Sequence, residues 1–447
     1  MASAAEQLAA NLNFGALSKA TELKKRLWFT CFALIIYRLG TYIPIPGVDP
    51  SILADVFKQT SGGILDMFNM LSGGALQRMT IFALNIMPYI SASIIMQLLT
   101  TVSPKLEQLK KEGEAGRKKI NQYTRYGTVL LSVLQGYGIA IGLEGMSGSI
   151  GTAVIDPGFI FRFTTVVTLT GGTIFLMWLG EQITARGVGN GISLIIFSGI
   201  VAQLPSAMAG TLELGRTGAL STFFILFIIV MVIVVVTFIV FMERAQRRIV
   251  VQYPKRQVGQ RMFGGESSHL PLKLNTAGVI PPIFASSILL LPITVAGFNA
   301  GQGPEWLSFI NANLGRGQPL FVMLYMAGIM FFAFFYTSVV FNPEDTADNL
   351  KKNGGFIPGI RPGKNTAEYL DYVLTRLTVT GALYLSAVCL LPEILAAQYS
   401  LPFYFGGTSL LIVISVTMDT VAQIHSHLLA HQYEGLIKKS RLRGRRG

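Results

Sequence analysis

Ten apolar blocks of 17 to 24 residues constrain this chain more than any other feature. They lie at about 25–43, 81–102, 127–143, 159–179, 192–209, 219–242, 277–295, 319–341, 374–391 and 408–429. The hydrocarbon core of a bilayer is about 30 Å thick, which roughly 20 helical residues cross. No water is present there to satisfy peptide groups, so each block must close its hydrogen bonds internally, as a helix does. Composition agrees. Only 13% of residues are charged, against roughly 25% in a soluble domain. The chain is predicted to be an all-α integral membrane protein with ten transmembrane helices.

The net charge of +13 would suit a nucleic-acid ligand if the basic residues shared one face. They sit instead in loops between apolar blocks. With the N-terminus in the cytoplasm and sides alternating, 30 of the 36 Lys and Arg lie inside, leaving Arg38, Lys58, Arg78, Arg162, Arg216 and Arg316 outside. Positive charge is retained on the cytoplasmic side of membrane proteins, and a miscount of one block would move later basic loops to the wrong face. Both termini are therefore expected in the cytoplasm. The first 20 residues lack a short apolar core with a cleavage site, so no removable signal peptide is expected. Cys31 and Cys389 each fall inside an apolar block, which predicts no disulfide framework.

Between the first two blocks, Ile64–Leu71 is apolar and bracketed by Gly62-Gly63 and Gly73-Gly74. It is too short to cross. It reads either as an external loop with one helical turn or as a re-entrant helix, which needs protein or a watery cavity around it. A weak repeat also runs through the chain: Pro88, Ile90, Ala92 and Ser93 recur at the same spacing as Pro281, Ile283, Ala285 and Ser286. Each run belongs to the second block of a set of five. Five is odd, so the second set starts from the opposite side, giving two pseudo-symmetric inverted five-helix halves. The expected organisation is a cytoplasmic N-terminus at 1–24, an N-terminal half at 25–209, a hinge loop at 210–218, a C-terminal half at 219–429, and a basic cytoplasmic tail at 430–447.

Two cytoplasmic loops exceed what connection requires. In 243–276, Arg248–Tyr253 is rich in β-branched residues and Leu270–Leu274 alternates, which predicts a β-hairpin. The loop at 342–373 carries turn signals at Gly354-Gly355, Pro358-Gly359 and Arg361-Pro362-Gly363. Both read as docking sites for a cytoplasmic partner. No catalytic constellation, cofactor motif or nucleotide-binding run stands out; Gly187–Gly191 joins two blocks and follows no strand, so it reads as a tight turn. His425, His427 and His431 are too poorly matched in spacing to predict a metal site. Asp419 and His425 are the main ionisable groups within the spans, and an ion-coupled transporter usually needs more. Ile86 and Ile90, four apart, would share a helix face, and branched aliphatic side chains can close a pore by excluding water. Ser91, Ser93 and Gln97, with Ser286 and Ser287, would offer weak polar contacts between helices.

At these residues the chain resembles the bacterial SecY family. The likeness rests on Phe68–Leu76, Met87–Ile95, Gly180–Thr184, Gly189–Ser193, Phe341–Pro343 with Thr346–Leu350, and Pro402–Ile412, and extends from about 20 to 437. It implies the channel subunit of the general secretion translocon, in the bacterial cytoplasmic membrane. It also implies a pore ring of Ile86, Ile90, Ile196, Ile283 and Ile412. The segment at about 64–78 would be a re-entrant plug helix, with Ile64, Leu65, Met67, Phe68, Met70 and Leu71 as its apolar residues. Ser91, Ser93, Gln97, Ser286 and Ser287 would belong to a lateral gate, formed by the spans at 81–102, 127–143, 277–295 and 319–341. Arg248, Lys255, Arg256 and Arg361 would dock the ribosome or the motor ATPase SecA, and SecE and SecG would be small partner subunits. Signal-bearing polypeptides would leave sideways into membrane lipid, with energy supplied by a partner because the chain itself binds no nucleotide. Two positions depart from the family pattern: Leu291, where an aromatic residue is frequent, and Asn85, where glycine is common. A secondary transporter of a small solute, and less so an intramembrane enzyme using the three histidines, stand as rival expectations.

Overall fold

The computed structural model describes residues 21–53, 69, 72–145, 152–217, 221–253, 256–258, 261–263, 267–298, 318–399 and 407–443. A helix occupies each of the ten expected spans: α1 Thr21–Gly40, α2 Met87–Val102, α4 Glu114–Gly145, α5 Phe159–Arg186, α6 Gly191–Arg216, α7 Thr222–Arg244, α8 Ile280–Phe298, α9 Pro319–Val340, α11 Lys364–Tyr399 and α12 Gly407–Arg443. Two short polar helices, α3 Pro104–Lys111 and α10 Pro343–Lys352, stand in the cytoplasmic loops. Among the described residues seven helices are long and apolar enough to cross a membrane; α1, α2 and α8 fill the other three places.

Helix ends follow local chemistry. Ser221 caps α7 by accepting from the Phe224 amide, and Asn342 caps α10 by accepting from the Glu344 amide. Proline opens α3, α9 and α10, where its missing donor is no loss. Three expectations need correction. The second span does not begin as helix at 81: residues 81–86 form turns, and α2 starts at Met87. The hinge loop expected at 210–218 is mostly helical, because α6 continues to Arg216, with Arg216 paired to Glu213 at 2.8 Å. Last, α4, α11 and α12 run well beyond their apolar blocks; the added turns of α11 carry Leu370 and Val373, which are buried.

By internal contacts the chain divides into two compact units: Met1–Met96, Arg117–Ser206 and Ile412–Gly447 form the first, and Gln97–Gly116 and Ala207–Leu411 the second. In the first unit, the glycine-rich turn between α5 and α6 ties four helices together. The Val188 amide donates to Thr30 of α1 at 3.0 Å, Gly189 to Gln423 of α12 at 2.8 Å, and Gly191 to Thr184 of α5 at 2.9 Å. A Cβ on Gly187 would collide with Thr30 Oγ1, and one on Gly191 with the Gly180 carbonyl, so only glycine permits this approach. Two ion pairs staple α4 to α5. Arg125 meets Glu181 in a fork of 3.1 and 2.7 Å, and Arg162 meets Glu144 at 2.9 and 2.6 Å.

In the second unit, α8 packs on α9 and α9 on α11. Phe284 meets Phe332 edge-on at 5.7 Å, and Gly328 lets Ala285 come close. The predicted hairpin is present: β1 Gln246–Gln252 pairs antiparallel with β4 Ser267–Lys273, placing Arg248 opposite Pro271, and β2 Arg256–Val258 pairs with β3 Arg261–Phe263 nearer the tip.

Candidate functional site: apolar waist and docking face

Four of the expected waist residues share the first unit. Ile86, Ile90, Ile196 and Ile412 all belong to it and are buried, at 1, 6, 6 and 2% exposure. Ile90 lies on α2, Ile196 on α6 and Ile412 on α12. Ile86 does not lie on a helix with Ile90, as the spacing predicted. It is the last residue of a turn, and it joins α2 only through its carbonyl, which accepts from the Ile90 amide at 3.1 Å. Ile283 belongs to the second unit and is half-buried on α8. An isoleucine side chain cannot hydrogen-bond water, so a collar of such side chains would make a chemically inert, dewetting constriction.

What precedes Ile86 was not legible as a device. Residues 79–86 are braced against loop 43–45: the Ile45 amide donates to Met79 at 2.9 Å and the Ile81 amide to Ile43 at 3.0 Å. Met79 and Asn85 take φ of 44° and 49°, a left-handed conformation few side chains adopt. Glycines could have signalled this close packing, but only in pairs with the residues they face. Gly40 admits the Phe82 ring and Gly172 the Ile81 carbonyl, and Phe82 stacks between Tyr37 and Phe175 at 6.1 and 5.9 Å.

Of the expected gate residues, Ser91 and Ser93 fall in the first unit and Gln97, Ser286 and Ser287 in the second. The two serines of α8 do not reach another helix through their hydroxyls in the way expected. Ser286 and Ser287 both donate to the Ile283 carbonyl, at 2.9 and 2.7 Å, because back-bonding within the helix is the nearest acceptor in an apolar setting. The plug residues Ile64, Leu65, Met67, Phe68, Met70 and Leu71 lie outside the described residues. Described positions within and just after this segment are held: Gln203 donates to the Asn69 carbonyl at 3.1 Å and Arg38 to that of Gly73 at 2.8 Å.

On the cytoplasmic side the two predicted loops form a single body. Gln252 and Phe356 exchange backbone hydrogen bonds, each at 2.9 Å. Beneath them Ile249 and Leu272 of the hairpin share a core with Ile357 and with Leu370, Val373, Leu374 and Leu377 of α11. The body presents Arg248 and Arg361 to solvent. Arg361 sits in a turn shaped by Gly359 and Gly363, at φ of 85° and 104°, and its carbonyl accepts from Thr366 at 2.9 Å. Arg256 is in β2, and Lys255 lies outside the described residues. Among the described residues no group of three His, Cys, Asp or Glu could hold a metal.

This architecture matches solved membrane channels. One is a protein-conducting channel, 17% identical over 91% of this chain and 92% of that one, with a TM-score of 0.63. Another is a SecY protein whose plug domain stabilises the closed state and maintains a membrane seal, 18% identical over the same shares, with a TM-score of 0.65. The fold is that of the protein-conducting channels, all-α with ten membrane helices. In sequence, the SecY family model matches residues 80–421. The protein translocase subunit SecY of Escherichia coli strain K12 is 59% identical over 95% of this chain and 96% of its own length. That of Pseudomonas aeruginosa is 56% identical over 97% and 96%. The chain belongs to the SecY family.

Proposed function

We propose that the chain is the central protein-conducting channel of the Sec translocon in the bacterial cytoplasmic membrane. It passes unfolded secretory polypeptides outward and releases apolar segments sideways into lipid. The 59% identity to a protein translocase subunit along nearly the whole length carries this reading. It also displaces the rival of a small-solute transporter. In this reading Ile86, Ile90, Ile196, Ile283 and Ile412 line the constriction, the segment at 64–78 plugs it, and Ser91, Ser93, Gln97, Ser286 and Ser287 belong to the lateral gate.

The channel is passive, and a partner supplies the energy. Arg248, Lys255, Arg256 and Arg361 dock that partner, either SecA or the ribosome; one solved relative of this fold is Sec61 in a canine ribosome–channel complex. SecE and SecG complete the assembly. Vesicles reconstituted with the chain, SecE, SecG, SecA and ATP are expected to take up a signal-bearing precursor into a protease-protected space. Solute flux driven by an ion gradient, with no such uptake, would reverse the reading.

A further inference from the structure

We infer that Asn85 is a positioning residue for the seal, and that residues 79–86 are a rigid pedestal which aims Ile86 at the constriction. The inference rests on the reading of Ile86 as part of that constriction. The pedestal is neither helix nor strand, yet loop 43–45, α1 and α5 all hold it. Its start is pinned to loop 43–45 by the Ile45–Met79 and Ile81–Ile43 backbone bonds, with Thr80 bridged to Pro44. Its middle is wedged between α1 and α5: the Phe82 ring fills the space over Gly40, and the Ile81 carbonyl that over Gly172. Successive tight turns close it, with Ala83 donating to Thr80, Asn85 to Phe82 and Met87 to Leu84.

Asn85 makes the last change of direction. Its φ of 49° lies inside the final turn, which Met87 closes on Leu84, and only 3% of it is exposed. Among side chains other than glycine, asparagine is one of the few that visits this region routinely. A β-branched residue there would drive the backbone to negative φ, and the residue displaced first would be Ile86. Asparagine and glycine tolerate this backbone alike. Met79 repeats the geometry at the other end, at φ 44°.

Resting ion conductance of the channel complex in planar bilayers tests this. Asn85→Gly should match the parent protein, whereas Asn85→Val should leak several-fold more. The double variant Asn85→Val/Ile86→Ser should leak no more than Ile86→Ser alone, because the first change acts through the second residue. If the valine variant fails to accumulate, Asn85→Ala replaces it, with a smaller leak in the same direction. A folded Asn85→Val that seals normally, an Asn85→Gly that leaks as much as the valine variant, or additive leaks in the double variant would each overturn the inference. If Ile86→Ser itself does not leak, the constriction reading falls and this inference with it; if Ile86→Ser leaks and Asn85→Val does not, only the inference falls.

Discussion

Gly172 and Gly113 show how differently two glycines constrain one chain. A side chain on Gly172 would run into the Ile81 carbonyl, a backbone atom that cannot swing away. A methyl group on Gly113 would meet nothing within 4 Å, but the φ of 79° there is left-handed. Overpacking a tight interior typically costs about 1–3 kcal/mol, while an alanine forced to positive φ costs on the order of 1 kcal/mol. Gly172→Val is therefore expected to lower the thermal midpoint in detergent markedly and to loosen the pedestal under Ile86. Gly113→Ala, in the loop between α3 and α4, should lower it only slightly and leave resting conductance unchanged. Equal effects of the two on melting and conductance would contradict the close packing at Gly172.

Between elements, polar contacts do what apolar burial cannot do in lipid. Lipid tails are as apolar as leucine, so helices in a bilayer are held by close packing and hydrogen bonds rather than by exclusion from water. The stretch at 187–191 is the clearest case, since its amides recruit α1, α5 and α12. Thr30→Val would leave the buried Val188 amide without its acceptor, at about 1–3 kcal/mol. The expected result is lower stability in denaturant titration and faster proteolysis at the turn. Glu181→Gln should do less. Its pair with Arg125 is partly exposed, at 42% for the arginine side chain and 32% for the glutamate, and such pairs contribute roughly 0.2–1 kcal/mol. A larger loss from Glu181→Gln than from Thr30→Val would invert this ranking.

For the whole molecule, the cytoplasmic body matters as a unit. Arg248 and Arg361 come from two separate loops, far apart in sequence, yet they ride on one apolar core. Arg361→Glu is expected to reduce motor-driven export several-fold while leaving insertion of the channel into membranes intact. Unaltered export would remove Arg361 from the docking face. Ile249→Ala tests the shared core, because deleting a buried isoleucine typically costs about 2–5 kcal/mol. It should weaken partner binding through both loops at once, although it removes neither arginine; binding measured by co-sedimentation with SecA would check this.

The ten spans and the hairpin were legible in the linear order of residues. Block length, charge bias and strand alternation are local properties, and a bilayer admits few solutions to them. Family likeness was legible as well, through motifs such as Met87–Ile95 and Pro402–Ile412. Three things were not: the start of α2 at Met87 rather than 81, the continuation of α6 to Arg216, and the fusion of two loops into one docking body. The first and the third depend on partners remote in sequence, and the second on a polar turn carrying the Arg216–Glu213 pair, which block hydropathy does not register. The turn at 81–86 exists because Ile43, Gly40 and Gly172 come to meet it, and hydropathy cannot distinguish an apolar turn braced by neighbours from an apolar helix. Asn85 makes the same point in one residue: its type stood out in the sequence, and only the fold shows the backbone torsion of 49° that it adopts.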